Sequence, residues 1–268
     1  MKFLNGKSVL ITGGTKGLGK AIGLAFAQAG AQVFLTHKWG TVDESELSKE
    51  FEKLQVAKPN IIQADVGDSD DLETLIHEIK QQTDTLDIVI SNVAFSKIIN
   101  NITDLKRQTL ELSLKYSAWP IVDLIQTIHA IMKSYPRYIL AISSDGPDIC
   151  HSGYDMAGAS KAVLETICRY LALRLKQYGV RVNALRPGFL DTASSRATFG
   201  DEIFEKIITH GIHDIFLSPD KIANACVAFC SGLMDSVTGQ VLTIDEGWSL
   251  VSPIALVTGK GLPGAFPD

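Results

Sequence analysis

Near the start of the chain an apolar run, residues 8–12, passes into Gly13-Gly14-Thr15-Lys16-Gly17-Leu18-Gly19, and an amphipathic stretch follows over residues 18–28. No other feature limits the possible folds so tightly. Glycines are needed at such a turn for two reasons. The backbone must adopt angles that side chains oppose, and a phosphate must come close to the main chain. The helix that opens after the turn offers free N–H groups and a positive dipole end to that phosphate. A glycine turn alone is weak evidence. One that follows a strand, opens a helix and begins an alternating chain predicts dinucleotide binding rather than a tight turn with no ligand.

The alternation continues to the end of the chain. Strands are expected at residues 32–37, 60–64, 86–91, 138–143, 180–185 and 241–245. Helices are expected at 43–54, 69–82, 105–132, 154–175 and 219–230, with Pro120 kinking or breaking the longest. Apolar strands alternating with helices make a parallel sheet covered on both faces. The expectation is an α/β, doubly wound Rossmann-type sheet of about seven strands in a single domain over 1–268. Residues 193–218 are the least regular stretch. They read equally as a substrate lid or as an exposed connection.

Composition removes several function classes. Net charge is −5 with no basic stripe, which argues against a nucleic-acid partner. No apolar run approaches the ~20 residues of a membrane span. Met1-Lys2-Phe3-Leu4 runs straight into Asn5-Gly6-Lys7, so no signal-peptide core is expected. Cys226 and Cys230 share a helical face without a His or acidic ligand at metal spacing. With Cys150 and Cys168 they read as buried free thiols in a reducing cytoplasm, and no metal site is expected.

The chemistry points to Tyr154 and Lys161. Seven helical positions amount to about 700°, which puts both side chains within roughly 20° of one face and about 10 Å apart along the axis. A cation there would lower the phenol's pKa toward the operating pH and make it a proton donor. The plain alternative is a tyrosine at a helix start and a solvated lysine.

The T-G-x-x-x-G-x-G turn resembles that of the short-chain dehydrogenase/reductase family, and the likeness runs from about Lys7 to Gly247. The resemblance implies cofactor contacts at Gly13, Thr15, Lys16, Gly17, Leu18 and Gly19. Asp65-Val66 looks like the family's adenine-contacting pair. Asn92 and Ala94 stand where the family has N-N-A-G. Ser143-Ser144 end the strand that carries its catalytic serine. Arg181 to Gly188 resembles R-V-N-x-x-x-P-G, with Pro187 and Gly188 beside the cofactor. By the same resemblance the Leu190 backbone would hold the nicotinamide amide and Thr192 the cofactor phosphate. Gly239-Gln240 and Asp245-Glu246-Gly247 look like the closing strand, with Glu246 in place of a usual glycine.

The departures narrow the branch. In the common Y-x-x-x-K motif the tyrosine would fall at Ala157, which has no proton to give. The asparagine of the fourth long helix has no obvious counterpart among Lys115 to Ser117. A seven-residue Tyr-to-Lys spacing resembles the divergent enoyl-acyl-carrier-protein reductases, as do Met156-Ala157-Gly158, Arg169-Tyr170-Leu171-Ala172 and Gly247-Trp248-Ser249-Leu250. The reaction implied is hydride transfer to the C=C bond of an enoyl thioester carried by acyl-carrier protein or coenzyme A. Tyr154 would stabilise the enolate oxygen, Lys161 would bind the nicotinamide ribose, and Ser144 would orient the substrate. Two alternatives stay open: a carbonyl reductase of shifted geometry, and a degenerate member that binds nucleotide without turnover.

The cofactor follows from charge. The second strand ends in Thr36-His37-Lys38 with no carboxylate until Asp43. Lys16, His37 and Lys38 would meet a 2′-phosphate, so NADPH is expected. Apolar residues on more than one helix face (Ala118, Trp119, Ile121 and Val122, then Leu171, Ala172 and Leu173) suggest a homotetramer or homodimer.

Overall fold

A computed structural model describes residues 3–38, 43–210 and 212–252. Position 211 of the 193–218 segment, and both ends of the domain expected over 1–268, lie outside the described residues. Seven strands form one parallel sheet: β1 (Ser8–Ile11), β2 (Gln32–His37), β3 (Asn60–Gln63), β4 (Ile88–Ser91), β5 (Tyr138–Ile142), β6 (Arg181–Pro187) and β7 (Val241–Ile244). Their spatial order is β3-β2-β1-β4-β5-β6-β7. The order reverses between β1 and β4, and in such sheets ligands bind beyond the strand ends at that point.

The pleat sends alternate side chains of each strand to opposite faces. Val9 and Ile11 of β1 enter one core cluster, whereas Leu10 between them enters another. Helices α1 (Gly17–Gln28) and α2 (Glu44–Lys53) cover the first face. The opposite face carries α3 (Ser69–Lys80), α4 (Arg107–Ser117), α5 (Pro120–Met132) and α6 (Asp155–Leu175). Two short helices, α7 (Ala193–Phe199) and α8 (Asp201–Thr209), precede α9 (Pro219–Cys230), which packs on α1. Ile22 and Phe26 meet Ile222, Ala223 and Cys226 in that core, and all five are buried. Each large apolar side chain so buried contributes about 1.5–3 kcal/mol.

The expected 105–132 helix is two helices. Pro120 occupies the first turn of α5, where its missing N–H costs nothing, and the chain breaks at Ala118-Trp119. Residues 193–218 hold more structure than expected, being largely helical. Thr192 and Ser195 cap α7 reciprocally, and Arg196 pairs with Asp191 and Asp201. Cys168, Cys226 and Cys230 are buried and free, but Cys150 is exposed, because it lies in the loop between β5 and α6 rather than on a core face. The surplus apolar surface is narrower than expected. Ala118, Ile121 and Ala172 serve this chain's own core, while Trp119 is 52% and Leu173 73% exposed.

The glycine turn is held from β4. Thr12 Oγ1 accepts the backbone N–H groups of Asn92 (2.9 Å) and Val93 (3.2 Å). Asn92 Nδ2 donates to Thr12 O (2.9 Å) and Gly13 O (3.3 Å). A Cβ on Gly19 would stand 2.2 Å from Gly13 O, closer than packing allows. Gly19→Ala should therefore lower stability by about 1–3 kcal/mol, seen as a reduced urea midpoint with an unchanged slope.

Candidate active site

The end of β5, the β5–α6 loop and the start of α6 meet at Tyr154. Tyr154 is the residue that opens α6, and Gly158 N donates to its carbonyl (2.8 Å). Gly146 lies flat against its ring, since a Cβ there would be 2.8 Å from Cε1. Ser144, just beyond β5, hydrogen-bonds the phenol and favours the phenolate. Burial outweighs that bond, and the negative charge of Asp145 adds to it, so the Tyr154 pKa is raised. This reverses the direction expected from Lys161. The physical reason is that the Lys161 ammonium turns away to donate to Ile142 O (2.6 Å) at the end of β5.

Lys161 is 4% exposed, and burial pulls its pKa down to about 8. Glu165, one turn further along α6, is also buried. Its carboxylate accepts from Ser143 Oγ (2.7 Å) and from Arg186 Nε and Nη2 (2.6 and 2.7 Å). Arg186 also reaches Asp148 in the β5–α6 loop. Ser143 is thus engaged with Glu165, and Ser144 is the serine of the pair that faces the phenol.

An aromatic wall adjoins the tyrosine. Phe199 of α7 lies 5.6 Å from the Tyr154 ring and 5.6 Å from Phe189, which stacks on Phe204 of α8 and on Phe216. The 193–218 segment therefore reaches the candidate catalytic side chain. Trp248–Leu250 is a short 3₁₀ turn in which Leu250 is strongly exposed.

A cavity of about 600 Å³ opens beside the glycine turn. Of the residues expected at the cofactor, Gly13, Thr15, Lys16, His37, Lys38 and Ala94 line it. Gly17 is outside, close to Thr192, and Leu18 packs toward the core. His37 Nδ1 is buried with no hydrogen-bond partner. Lys38 is already engaged: its ammonium lies 2.5 Å from Asp65 Oδ2 and 2.6 Å from Tyr116 Oη. Burial opposes the charge on Lys38, but those two partners outweigh it and raise its pKa. Asp65 is an ion-pair partner here, and the Val66 side chain is in the core.

Pro187 ends β6, and Gly188, Leu190 and Thr192 belong to the β6–α7 connection; none of the four lines this cavity. Leu190 O accepts from Ser195 Oγ at 2.5 Å, Thr192 Oγ1 caps α7, and Gly188 N donates to Ile244 O (2.7 Å).

Sequence reading missed Asp145, His151, Glu165, Arg186 and Tyr116. Glu165 carried a signal, a carboxylate four positions after Lys161. The others meet their partners only through the fold. Ser113 of α4 was also missed; its hydroxyl is buried with no partner. Among the described residues no helix is long and apolar enough to cross a membrane, and no group of three or more His, Cys, Asp or Glu could hold a metal.

The family model described as enoyl-(acyl carrier protein) reductase matches residues 13–249. This chain is a short-chain dehydrogenase/reductase. It is 30% identical over 249 residues to the 1-cyclohexenylcarbonyl-CoA reductase of Streptomyces collinus, covering 91% of this chain and 87% of that one. It is 27% identical over 253 residues to the 3-oxoacyl-[acyl-carrier-protein] reductase FabG of Staphylococcus aureus, covering 90% and 97%. A solved 7α-hydroxysteroid dehydrogenase, complexed with NADH and 7-oxo glycochenodeoxycholic acid, superimposes with a TM-score of 0.80 at 25% identity, covering 91% of this chain and 94% of that one. The protein is thus an oxidoreductase of that family, on its enoyl-reductase-like branch.

Lys161 gives a pH signature of its own. Below about pH 8 the folded chain holds a buried ammonium that the unfolded chain keeps in water. Between about 8 and the ordinary 10.5 the unfolded state binds this proton and the folded state does not, so stability rises with pH across that window. Lys161→Met removes the titration. It should exceed the wild type in stability at about pH 7 by on the order of 2 kcal/mol, and lose that advantage by about pH 10.5, in urea denaturation at the two values.

Proposed function

We propose that this chain uses NADPH to reduce the C=C bond of an enoyl thioester, carried by coenzyme A or acyl-carrier protein. The observation that carries the reading is the phenol at position 154, hydrogen-bonded by Ser144, with alanine at position 157 and an aromatic wall alongside. The enoyl-reductase family match and the cyclohexenylcarbonyl-CoA reductase relative support it.

The residues fit the cofactor. The glycine turn leaves main chain open beside a cavity with room for an adenosine phosphate. The exposed Lys16 and the unpartnered His37 Nδ1 supply donors for a 2′-phosphate. Lys38 adds charge from within its pair with Asp65. Ala94 lines that cavity and Asn92 holds the turn beside it, and Val66, Ser143, Pro187, Gly188, Leu190 and Thr192 would complete the cofactor contacts that the family resemblance implies. Bound NADPH supplies the hydride that adds to the β-carbon of the substrate. Tyr154 Oη donates to the thioester oxygen as negative charge develops there, which is where the largest rate contribution arises. Lys161 holds the nicotinamide ribose. Ser144 fixes the direction of the phenol. Helices α7 and α8 act as the lid, excluding water from the developing enolate.

The whole of 1–268 is read as one reductase domain. Its three buried free thiols suit the reducing cytoplasm. Trp119, Tyr170 and Leu173 give exposed apolar surface for a homodimer or homotetramer, so sedimentation at micromolar concentration should show species larger than 29.1 kDa.

Tyr154→Phe keeps the ring packing and removes the hydroxyl. It should lower kcat about 10²–10³-fold, with NADPH affinity little changed in a fluorescence titration. A crotonyl thioester should be reduced much faster than its 3-keto analogue, and NADPH should give a higher kcat/KM than NADH. A second reading, reduction of a 3-keto thioester, draws support from the FabG relative. It becomes correct if the keto substrate wins while Tyr154→Phe is inactive. Full activity of Tyr154→Phe on both substrates rejects both readings.

A further inference from the structure

The β5–α6 loop carries an acid and a base that the reaction above does not use. Asp145 follows Ser144 directly, and His151 stands three residues before Tyr154. His151 Nε2 and Asp145 Oδ2 lie 2.8 Å apart. The imidazole meets the Tyr154 ring edge-on, with centroids 6.0 Å apart and an 83° interplanar angle. It meets Phe199 of the lid at 6.1 Å. Tyr154 N donates to His151 O at 3.1 Å, which ties the main chain of His151 to the opening of α6. A closed loop results: Ser144 bonds the phenol, Asp145 is its neighbour in sequence, His151 holds Asp145, and the His151 ring returns to Tyr154.

We propose that Asp145 and His151 form a charge-compensating pair that governs the field on the Tyr154 hydroxyl, so that turnover requires His151 to be protonated. This rests on the assignment of Tyr154 as the oxyanion donor. With the imidazolium in place the pair is neutral. Once His151 loses its proton, Asp145 is left as an uncompensated anion one residue from Ser144, the hydroxyl that bonds the phenol. Asp145 already disfavours ionisation of the phenol, although its own side chain is 43% exposed. The carboxylate in turn raises the His151 pKa above its ordinary 6.5 against the opposing effect of burial.

The groups that face the imidazole are few. Asp145 approaches from its own loop, the Tyr154 phenol from the start of α6, and the uncharged Phe199 ring from α7. Asp148, in the same loop, is held by Arg186, and Asp155 opens α6 on its exposed side. Arg186 is itself committed to Glu165. Asp145 is thus the anion in contact with His151 among the described residues, and His151 is the cation in contact with Asp145. His151 and Asp145 are positioning residues, because they act through Tyr154.

The test is a double-mutant cycle read across pH. Wild type, Asp145→Asn, His151→Gln and the double variant are assayed on a crotonyl thioester from about pH 6 to about pH 9. The phenol of each is titrated separately by ultraviolet difference absorbance against a Tyr154→Phe background. The expected wild-type kcat falls as pH rises through the His151 titration, and Asp145→Asn loses that fall. His151→Gln should be about tenfold slower below the His151 titration and approach the wild type above it, and the double variant should recover most of the low-pH loss, since no anion remains to be neutralised. The Tyr154 phenol should bind its proton about tenfold more weakly in Asp145→Asn and be little moved in His151→Gln, because His151 is already neutral where the phenol titrates. Additive losses in the double variant, or a phenol titration unmoved by Asp145→Asn, overturn the proposal. If the phenol moves as stated and no thioester is reduced, the pair stands and the enoyl-reductase reading fails.

Discussion

A single buried carboxylate ties the reacting end of this fold together. Glu165 projects from α6 into the core, where it accepts from Ser143 at the end of β5 and from both arms of Arg186 at the end of β6. An isolated carboxylate there would be costly enough to expel. Three well-directed donors offset that cost, and the geometry they require fixes three elements against one another. The next residue after Ser143 is Ser144, so its approach to Tyr154 depends on this contact. Lys161 reaches back to Ile142 O from the same helix. The reacting groups are held by backbone ends and a buried ion pair, and little is left to loop flexibility.

The phosphate side is built differently. It depends on close approach rather than on charge. Thr12 and Asn92 clamp the glycine turn to β4, and the glycines leave no side chain between that turn and the cavity. Nearby cations and anions are almost balanced: Lys20 pairs with Glu50, and Lys38 with Asp65. A doubly charged phosphate entering here must compete with those carboxylates. Preference for a 2′-phosphate therefore depends on groups not already spent, above all the exposed Lys16 and the unpartnered His37 nitrogen.

The sheet could be read from the chain because each strand is a short apolar run bounded by turn residues, and that signal is local. β2 and α9 begin and end as expected. Pro120 announced a break whose form, two separate helices, depends on how α4 packs against α6. Helix α7 was illegible, being short and polar and held by its caps and the Arg196 ion pairs, whereas α8 does carry an apolar period in Ile203, Phe204, Ile207 and Ile208, with Phe204 buried. That Tyr154 opens the helix that carries Lys161 was legible in the sequence, while Ser144 was singled out by resemblance at the strand end. What Lys161 does with its charge was not legible, because its acceptor is a backbone carbonyl 19 positions away. Separations of 21 and 78 positions likewise hid Arg186 from Glu165 and Tyr116 from Lys38.

The packing of α6 explains why the phenol stands seven positions from the lysine. Ala157, the position of the commoner spacing, is buried. A turn of backbone lies against its neighbour: a Cβ on Gly158 would be 2.9 Å from Gly146 O. The β5–α6 loop thus crosses the first turn of α6 at close contact distance beside position 157. At the opening of the helix the same loop has lifted enough to receive a ring, with Gly146 flat against it and Ser144 at its hydroxyl. Displacing the phenol by nearly one turn moves its oxygen by about 5 Å along the helix axis. An oxygen bonded to the hydride-accepting carbon and one two atoms removed from it differ in position by only a few ångströms. The close passage of this loop therefore bears directly on which of those oxygens the phenol can serve.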